Sequence, residues 1–221
     1  MASPSAPRRY RTLIAAASLI AGPLLMTIGD LLHPAERMAP SEQIAILVDH
    51  ASRWYTAHLL LFIGLMLFIP GLLALSALTG ARKPVVGYAA RILILMGAAG
   101  LASIFVAEML VGRFVLDGAD PAVATDLLES MFSGPMLVAV GPAMLAFFIG
   151  TAAFALPLMR TGSKVGWPAA LILLGALLIF AEIVSAQVVL SKIGNVLAFC
   201  VAAAAAWLIL RGTIGETAEL S

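Results

Sequence analysis

The chain has 221 residues, 62% of them hydrophobic and 11% charged, with a mean hydropathy of +1.06; because soluble domains carry about 25% charged residues, an ordinary soluble protein is excluded. A formal net charge of +1 without a basic block argues against a nucleic-acid partner. Cys200 is the single cysteine, so an intramolecular disulfide and a C-x-x-C metal or redox motif are excluded as well.

Six apolar segments have the length that a helix needs to cross about 30 Å of hydrocarbon. In chain order they cover about residues 12–32, 55–78, 86–111, 135–156, 167–189 and 193–210. The first segment is too long for the apolar core of a signal peptide. The segments lack the alternating pattern of barrel strands, and helices satisfy their own backbone hydrogen bonds in lipid. The sequence therefore predicts an all-α polytopic membrane protein, a single six-transmembrane-helix bundle.

The distribution of positive charge predicts which connections face the cytoplasm. With the N-terminus inside, nine of the 13 Lys and Arg residues lie on the inner side and four on the outer side. This excess favours cytoplasmic positions for both termini. Trp54 falls near the outer boundary of the second span, a position typical of an interfacial indole. The inner cations are Arg8, Arg9, Arg11, Arg82, Lys83, Arg91, Arg160, Lys164 and Arg211.

Two outer connections have the pattern of short amphipathic helices. In the first, Ser41 can cap a helix that continues to Trp54, and in the second Asp120 precedes Pro121, a favourable start for a helix. Both segments carry apolar residues at helical spacing. We therefore expect two short helices lying on the outer end of the bundle.

Ionisable residues within or beside the spans converge on the outer side. Asp30 and His33 lie three residues apart at the end of span one, His58 lies about one turn into span two, and Glu108 lies near the end of span three. Glu182 lies in the outer part of span five, below the membrane surface, where an unpaired carboxylate is costly. These five residues are the candidate site. His50 could reach it only if the first connection folds back.

Several interpretations of this cluster remain open. The residues could form a structural hydrogen-bond and ion-pair network in a non-enzymatic subunit or scaffold. They could hold haem or a divalent metal, with His33 and His58 as ligands and Asp30 as a third metal ligand. They could also belong to a membrane enzyme that acts on a lipid-like molecule, with His58, Glu108 and Glu182 in acid and base roles. A transporter or accessory subunit is the remaining alternative.

Two strings, GDLLHP at residues 29–34 and RWYTAHLLL at residues 53–61, resemble a family of uncharacterised bacterial six-helix multi-pass membrane proteins. The resemblance is best over the first three spans. It implies a bacterial inner-membrane protein with an outer amphipathic segment between spans one and two. Asp30, His33, Arg53, Trp54 and His58 match the family's pattern, and the family implies no activity for them. Our working hypothesis is a small-ligand or cofactor site near the outer leaflet, with a lipid-like molecule as the candidate partner besides the bilayer itself.

Overall fold

The computed structural model describes residues 6–34, 40–131, 133–160, 166–185 and 188–211, and these ranges are helical apart from short connections. The helices are α1 (Ala6–Leu32), α2 (Pro40–Arg82), α3 (Pro84–Leu116), α4 (Pro121–Met131), α5 (Gly134–Met159), α6 (Gly166–Ser185) and α7 (Val188–Leu210). The all-α prediction is thereby confirmed for the described residues.

Five of the six predicted spans overlap one helix each, whereas the fifth, 167–189, covers most of α6 and also the first two residues of α7. The helices also differ in length. Five of them are long and apolar enough to cross a membrane, over Tyr10–Leu32, Glu42–Arg82, Pro84–Leu116, Val140–Met159 and Val189–Leu210. The apolar helix over Gly166–Ala181 is shorter than these. Large apolar side chains such as Leu95, Met96 and Ile149 are exposed on the outside of the bundle, as lipid contact requires. The chain therefore has the helices of a multi-pass membrane protein.

The two connections predicted to be amphipathic helices are both helical, and they differ in form. The second is α4, which Asp120 caps by accepting a hydrogen bond from the Ala122 N–H at 2.9 Å. The first is continuous with the long helix α2. Within α2 the backbone leaves helical geometry only at His50, with φ −131° and ψ 29°, so the beginning of α2 is kinked relative to the remainder.

Six of the helices form a closed ring. Along the ring each helix packs against its neighbours in the order α1, α2, α3, α5, α6, α7, and α7 packs back against α1. The short helix α4 lies outside this order and packs against α2, α3 and α5. Antiparallel neighbours joined by short connections produce such a ring directly, and the α1–α7 contact closes it.

Two groups of buried apolar residues close the two ends of the ring. The larger one includes Leu19, Phe68, Ile94, Phe154 and Ala202 and joins all six ring helices. The smaller one brings the beginning of α2 and the helix α4 together over the opposite end, through Ile44, Leu47, Ala51, Trp54, Val111, Ala124, Leu128 and Met131. The middle of the ring lies between these two clusters.

Glycines allow the helices to approach closely near the smaller cluster. A Cβ atom on Gly29 of α1 would lie 2.8 Å from the Ala57 carbonyl oxygen of α2. A Cβ atom on Gly112 of α3 would lie 3.0 Å from Cδ1 of Trp54. Because only glycine fits such contacts without displacement, these two positions draw α1, α2 and α3 together where the predicted polar residues lie.

Candidate functional site

A cavity of about 470 Å³ occupies the middle of the helix ring, and we call it the chamber. Its walls are mainly apolar and come from all six ring helices, with Leu128 added by α4. Its floor includes Phe68, Leu72 and Ile172 of the larger cluster. The remaining apolar lining, apart from Trp54, is Pro23, Met26, Leu61, Leu101, Ile104, Phe105, Leu128, Met144, Phe147, Phe148, Ala176, Ile179 and Ala198.

Most polar residues of the lining gather at the opposite end of the chamber. We call this set the polar end; it consists of Asp30, His33, Gln43, His58, Glu108, Ser191 and Asn195. Six of these seven residues are buried, and Glu108 has a side-chain exposure of 15%. On a straight helix, the 14 residues from His58 to Leu72 correspond to roughly 20 Å of rise, so the chamber extends deep into the bundle.

Three aromatic rings form the side of the polar end that belongs to α1 and α2. The rings of His33, Trp54 and His58 are in mutual contact, with centroids separated by 4.7 to 4.8 Å. Arg53 donates from Nε to the carbonyl oxygen of Leu32 at the end of α1. The segments 29–34 and 53–61 are therefore packed against each other.

Backbone carbonyls determine which nitrogen of each histidine carries a proton. Nδ1 of His58 lies 2.9 Å from the Trp54 carbonyl oxygen, and Nδ1 of His33 lies 2.7 Å from the Pro34 carbonyl oxygen. A carbonyl oxygen only accepts, so both Nδ1 atoms are donors. In the neutral form of each ring, Nε2 is consequently an acceptor.

Glu108 joins α3 to this arrangement. Its Oε2 atom lies 2.5 Å from Nε2 of His58. The Trp54 indole N–H donates to the Glu108 backbone carbonyl at 3.0 Å. Because Nδ1 of His58 already donates to Trp54, the contact with Glu108 requires one proton held between the imidazole and the carboxyl group. An acid–base pair thus lies in the wall of the chamber.

Asp30 joins α1 to α7 on the other side of the polar end. Its Oδ1 atom accepts from the Ser191 hydroxyl at 3.3 Å, and its backbone carbonyl accepts from Lys192 Nζ at 2.9 Å. Thr27, one turn earlier, donates to the Asn195 carbonyl at 3.1 Å. The second carboxylate oxygen, Oδ2, is buried and has no hydrogen-bond partner among the described residues. An unsatisfied buried acceptor costs about 1–3 kcal/mol, which a bound donor would offset.

The structure brings four of the five predicted site residues to one chamber. Asp30, His33, His58 and Glu108 all line it. Glu182 lies near the end of α6, but its side chain is outside the described part of the structure. His50 is exposed at the kink of α2, away from the chamber.

The predicted metal set is only partly assembled. His33 and His58 are in ring contact, yet within the described ranges no three His, Cys, Asp or Glu side chains are placed so that they could hold one metal ion. Coordination of a divalent metal or haem by Asp30, His33 and His58 stays a prediction.

Several residues in or beside the polar end were not predicted to belong to the candidate site. Trp54 was assigned to the membrane interface, but it is 2% exposed and packs against both histidines, so that assignment was wrong. Gln43 reaches the chamber because the beginning of α2 covers the end of the ring. Ser191 and Lys192 fall between the predicted spans 167–189 and 193–210, whereas the structure places both near the beginning of α7. Polar residues placed among apolar neighbours at the start of α7 were the available signal for their role.

The chemistry of the chamber has to be derived from its own residues. It offers an apolar interior, an imidazole–carboxyl pair and a buried carboxylate oxygen at one end. Comparisons of the chain with protein-family models, with curated proteins and with solved structures found no match.

Proposed function

We propose that this protein is a bacterial inner-membrane protein that binds an amphipathic, lipid-like small molecule inside the chamber. The single observation that carries the proposal is the division of one cavity into a long apolar part and a compact polar end. Ligand sites are typically cavities of about 300–1,000 Å³ with apolar walls and a few convergent polar groups. A volume of about 470 Å³ lies within this range and suits a single-chain molecule.

The orientation of the ligand in the chamber follows from the residues that line its two ends. Its chain lies along Phe68, Leu72 and Ile172, and its head group lies at the polar end. Burial of polar groups is favourable only where they find hydrogen-bond partners, so the opposite arrangement is disfavoured. In the proposed topology six helices cross the membrane and both termini lie in the cytoplasm. Helix α1 then runs outward to Asp30, so the polar end lies near the outer leaflet.

Acid–base catalysis on such a molecule is the second candidate function. The contact of 2.5 Å between Nε2 of His58 and Oε2 of Glu108 supports it, because this pair can exchange a proton with a head group bound beside it. Glu182 would join this pair only if its side chain faces the chamber. Mass spectrometry of lipids from membranes that contain the wild-type chain or the Glu108→Gln variant distinguishes binding alone from catalysis.

Filling the chamber should abolish ligand binding. Ala176 of α6 and Ala198 of α7 both line it, so the double variant Ala176→Phe, Ala198→Phe replaces ligand volume by two aromatic rings. We expect the amount of co-purified amphipath, measured by native mass spectrometry in detergent, to fall at least about tenfold, or 1.4 kcal/mol.

The matched control for the filled chamber is Ala89→Phe, Ala99→Phe, since both of these alanines are exposed on α3. It should retain wild-type occupancy. Equal occupancy in the two double variants would mean that the ligand binds elsewhere, and the proposed function would then be abandoned.

The proposed orientation predicts where thiol reagents can reach the chain. In a Cys200→Ala background, cysteine is introduced at Asp126 on α4 or at Lys83 between α2 and α3, both exposed. A membrane-impermeant maleimide should modify Asp126→Cys in intact spheroplasts and Lys83→Cys only after permeabilisation. The reverse labelling pattern would contradict cytoplasmic termini.

A further inference from the structure

The polar end is rich in acceptors and poor in cations. Asp30 and Glu108 contribute carboxyl groups, and both histidines have their Nδ1 protons committed to backbone carbonyls. The described lining contains no Lys or Arg side chain. The nearby ammonium of Lys192 is bound to the Asp30 backbone carbonyl at 2.9 Å. The carboxyl groups of Asp30 and Glu108 would therefore repel an anionic head group, and the nearby Lys192 ammonium is not part of the described lining.

One acceptor at the polar end is available to a ligand. Asp30 is 9% exposed and lines the chamber, and its Oδ2 atom has no hydrogen-bond partner among the described residues. Its other oxygen is already held by Ser191, which fixes the orientation of the carboxylate across the α1–α7 contact. A fixed, buried and unsatisfied acceptor favours a ligand that brings a donor to this point.

The apolar walls cannot by themselves select the ligand. In a bilayer, a hydrocarbon chain is already surrounded by apolar groups, so moving it into an apolar chamber gains little. Discrimination between amphipaths with the same chain must come from the head group. The acceptors of the polar end thus determine the class of ligand.

We infer that the chamber selects a single-chain amphipath whose head group donates a hydrogen bond to Asp30 Oδ2 and carries no negative charge, such as a long-chain alcohol or amine. The inference rests on the proposed function and names the ligand class of the same site. It excludes fatty acids and phosphate-bearing lipids as preferred ligands.

Trp54 provides a direct reporter for this selection. The variant Trp167→Phe, Trp207→Phe leaves Trp54 as the single tryptophan, and its indole lies at the polar end. Bromine quenches indole fluorescence at short range, so a chain brominated near its head reports binding at this end. The probes are a brominated long-chain alcohol and the amine, carboxylic acid and alkyl phosphate of the same chain length, titrated in detergent solution.

The alcohol and the amine should bind at least about tenfold more tightly than the acid and the phosphate. This comparison uses the Trp54 reporter protein alone, so it does not depend on the folding of a site variant. Equal affinity for all four probes, or a preference for the phosphate, would overturn the inference while leaving ligand binding in the chamber intact. If no probe quenches Trp54, the proposed function itself fails.

Asp30→Asn should then reduce the preference for the alcohol and the amine at least about fivefold, because the amide presents a donor where Oδ2 accepted. Ser191→Ala is the matched control: it removes the bond to Oδ1 and leaves Oδ2 in place, so it should keep the preference. Loss of preference in Ser191→Ala but not in Asp30→Asn would contradict the role of Oδ2. Melting temperatures of both variants establish that each is folded.

Discussion

Replacement of Trp54 by alanine is expected to lower the free energy of unfolding by about 3 kcal/mol, the loss typical of a fully buried aromatic side chain. Trp54 is 2% exposed and lies in the smaller apolar cluster with Leu47 and Val111. Its indole N–H also joins α2 to the Glu108 carbonyl of α3. The variant removes apolar packing and this bond together. Unfolding of the detergent-solubilised protein by heat or by SDS measures the loss.

Trp167→Ala is the control for this prediction, because Trp167 is 51% exposed at the other end of the bundle. Its replacement should change stability by about 0.5 kcal/mol or less, as is usual for surface positions. Equal losses from the two substitutions would show that Trp54 is not part of the core.

Removal of either partner of the His58–Glu108 pair is expected to destabilise the protein by about 3 kcal/mol, because the remaining group is left buried without its partner. A double-mutant cycle with His58→Ala and Glu108→Ala should give a coupling free energy of about 1.5–3 kcal/mol. His58 is 2% exposed and Glu108 15%, so the pair is poorly screened by solvent.

Arg113 and Asp117 on α3 provide the matched pair for comparison. Their closest nitrogen and oxygen atoms lie 2.7 Å apart, but the side chains are 61% and 54% exposed. The same cycle with alanine at both positions should give only about 0.3–0.5 kcal/mol, because water screens an exposed pair. A coupling for His58 and Glu108 no larger than this value would contradict the placement of the pair in the chamber wall.

The two experiments also bear on the structural interpretation of the cluster. A network that only joins helices should lose stability when disrupted, and added amphipath should not change the loss. If the chamber binds a ligand, saturating amphipath should raise the stability of the wild-type chain, because it binds the folded state. Ala176→Phe, Ala198→Phe should remove this increase.

Local sequence properties were sufficient to predict the fold class. A helix rises about 1.5 Å per residue, so apolar segments of a given length specify helices that can cross a membrane. The last predicted span, 193–210, lies within α7, and the first, 12–32, lies within α1. The scarcity of charge also made Asp30, His33, His58 and Glu108 recognisable as candidates, since ionisable residues in such segments are costly.

The kink within α2 and the buried position of Trp54 were harder to predict from the sequence. The first connection was expected to be separate from the second span, whereas it is continuous with it through a kink at His50. Periodicity alone specifies helical residues but not whether two helices continue into one another. The same limit explains why the environment of Trp54 was predicted wrongly, since a tryptophan near the end of a span fits either the membrane interface or a buried contact.

By itself, the sequence determined an all-α chain with helices long and apolar enough to cross a membrane and a small set of costly polar residues, because these follow from composition and from spacing along one helix. Only the tertiary structure decided which of these residues meet. Asp30 and Ser191 are 161 residues apart in the chain, and they come together only because α7 closes the ring against α1. The chamber exists for the same reason: its lining comes from the six ring helices and from Leu128 of α4, and no single segment carries the pattern of a cavity.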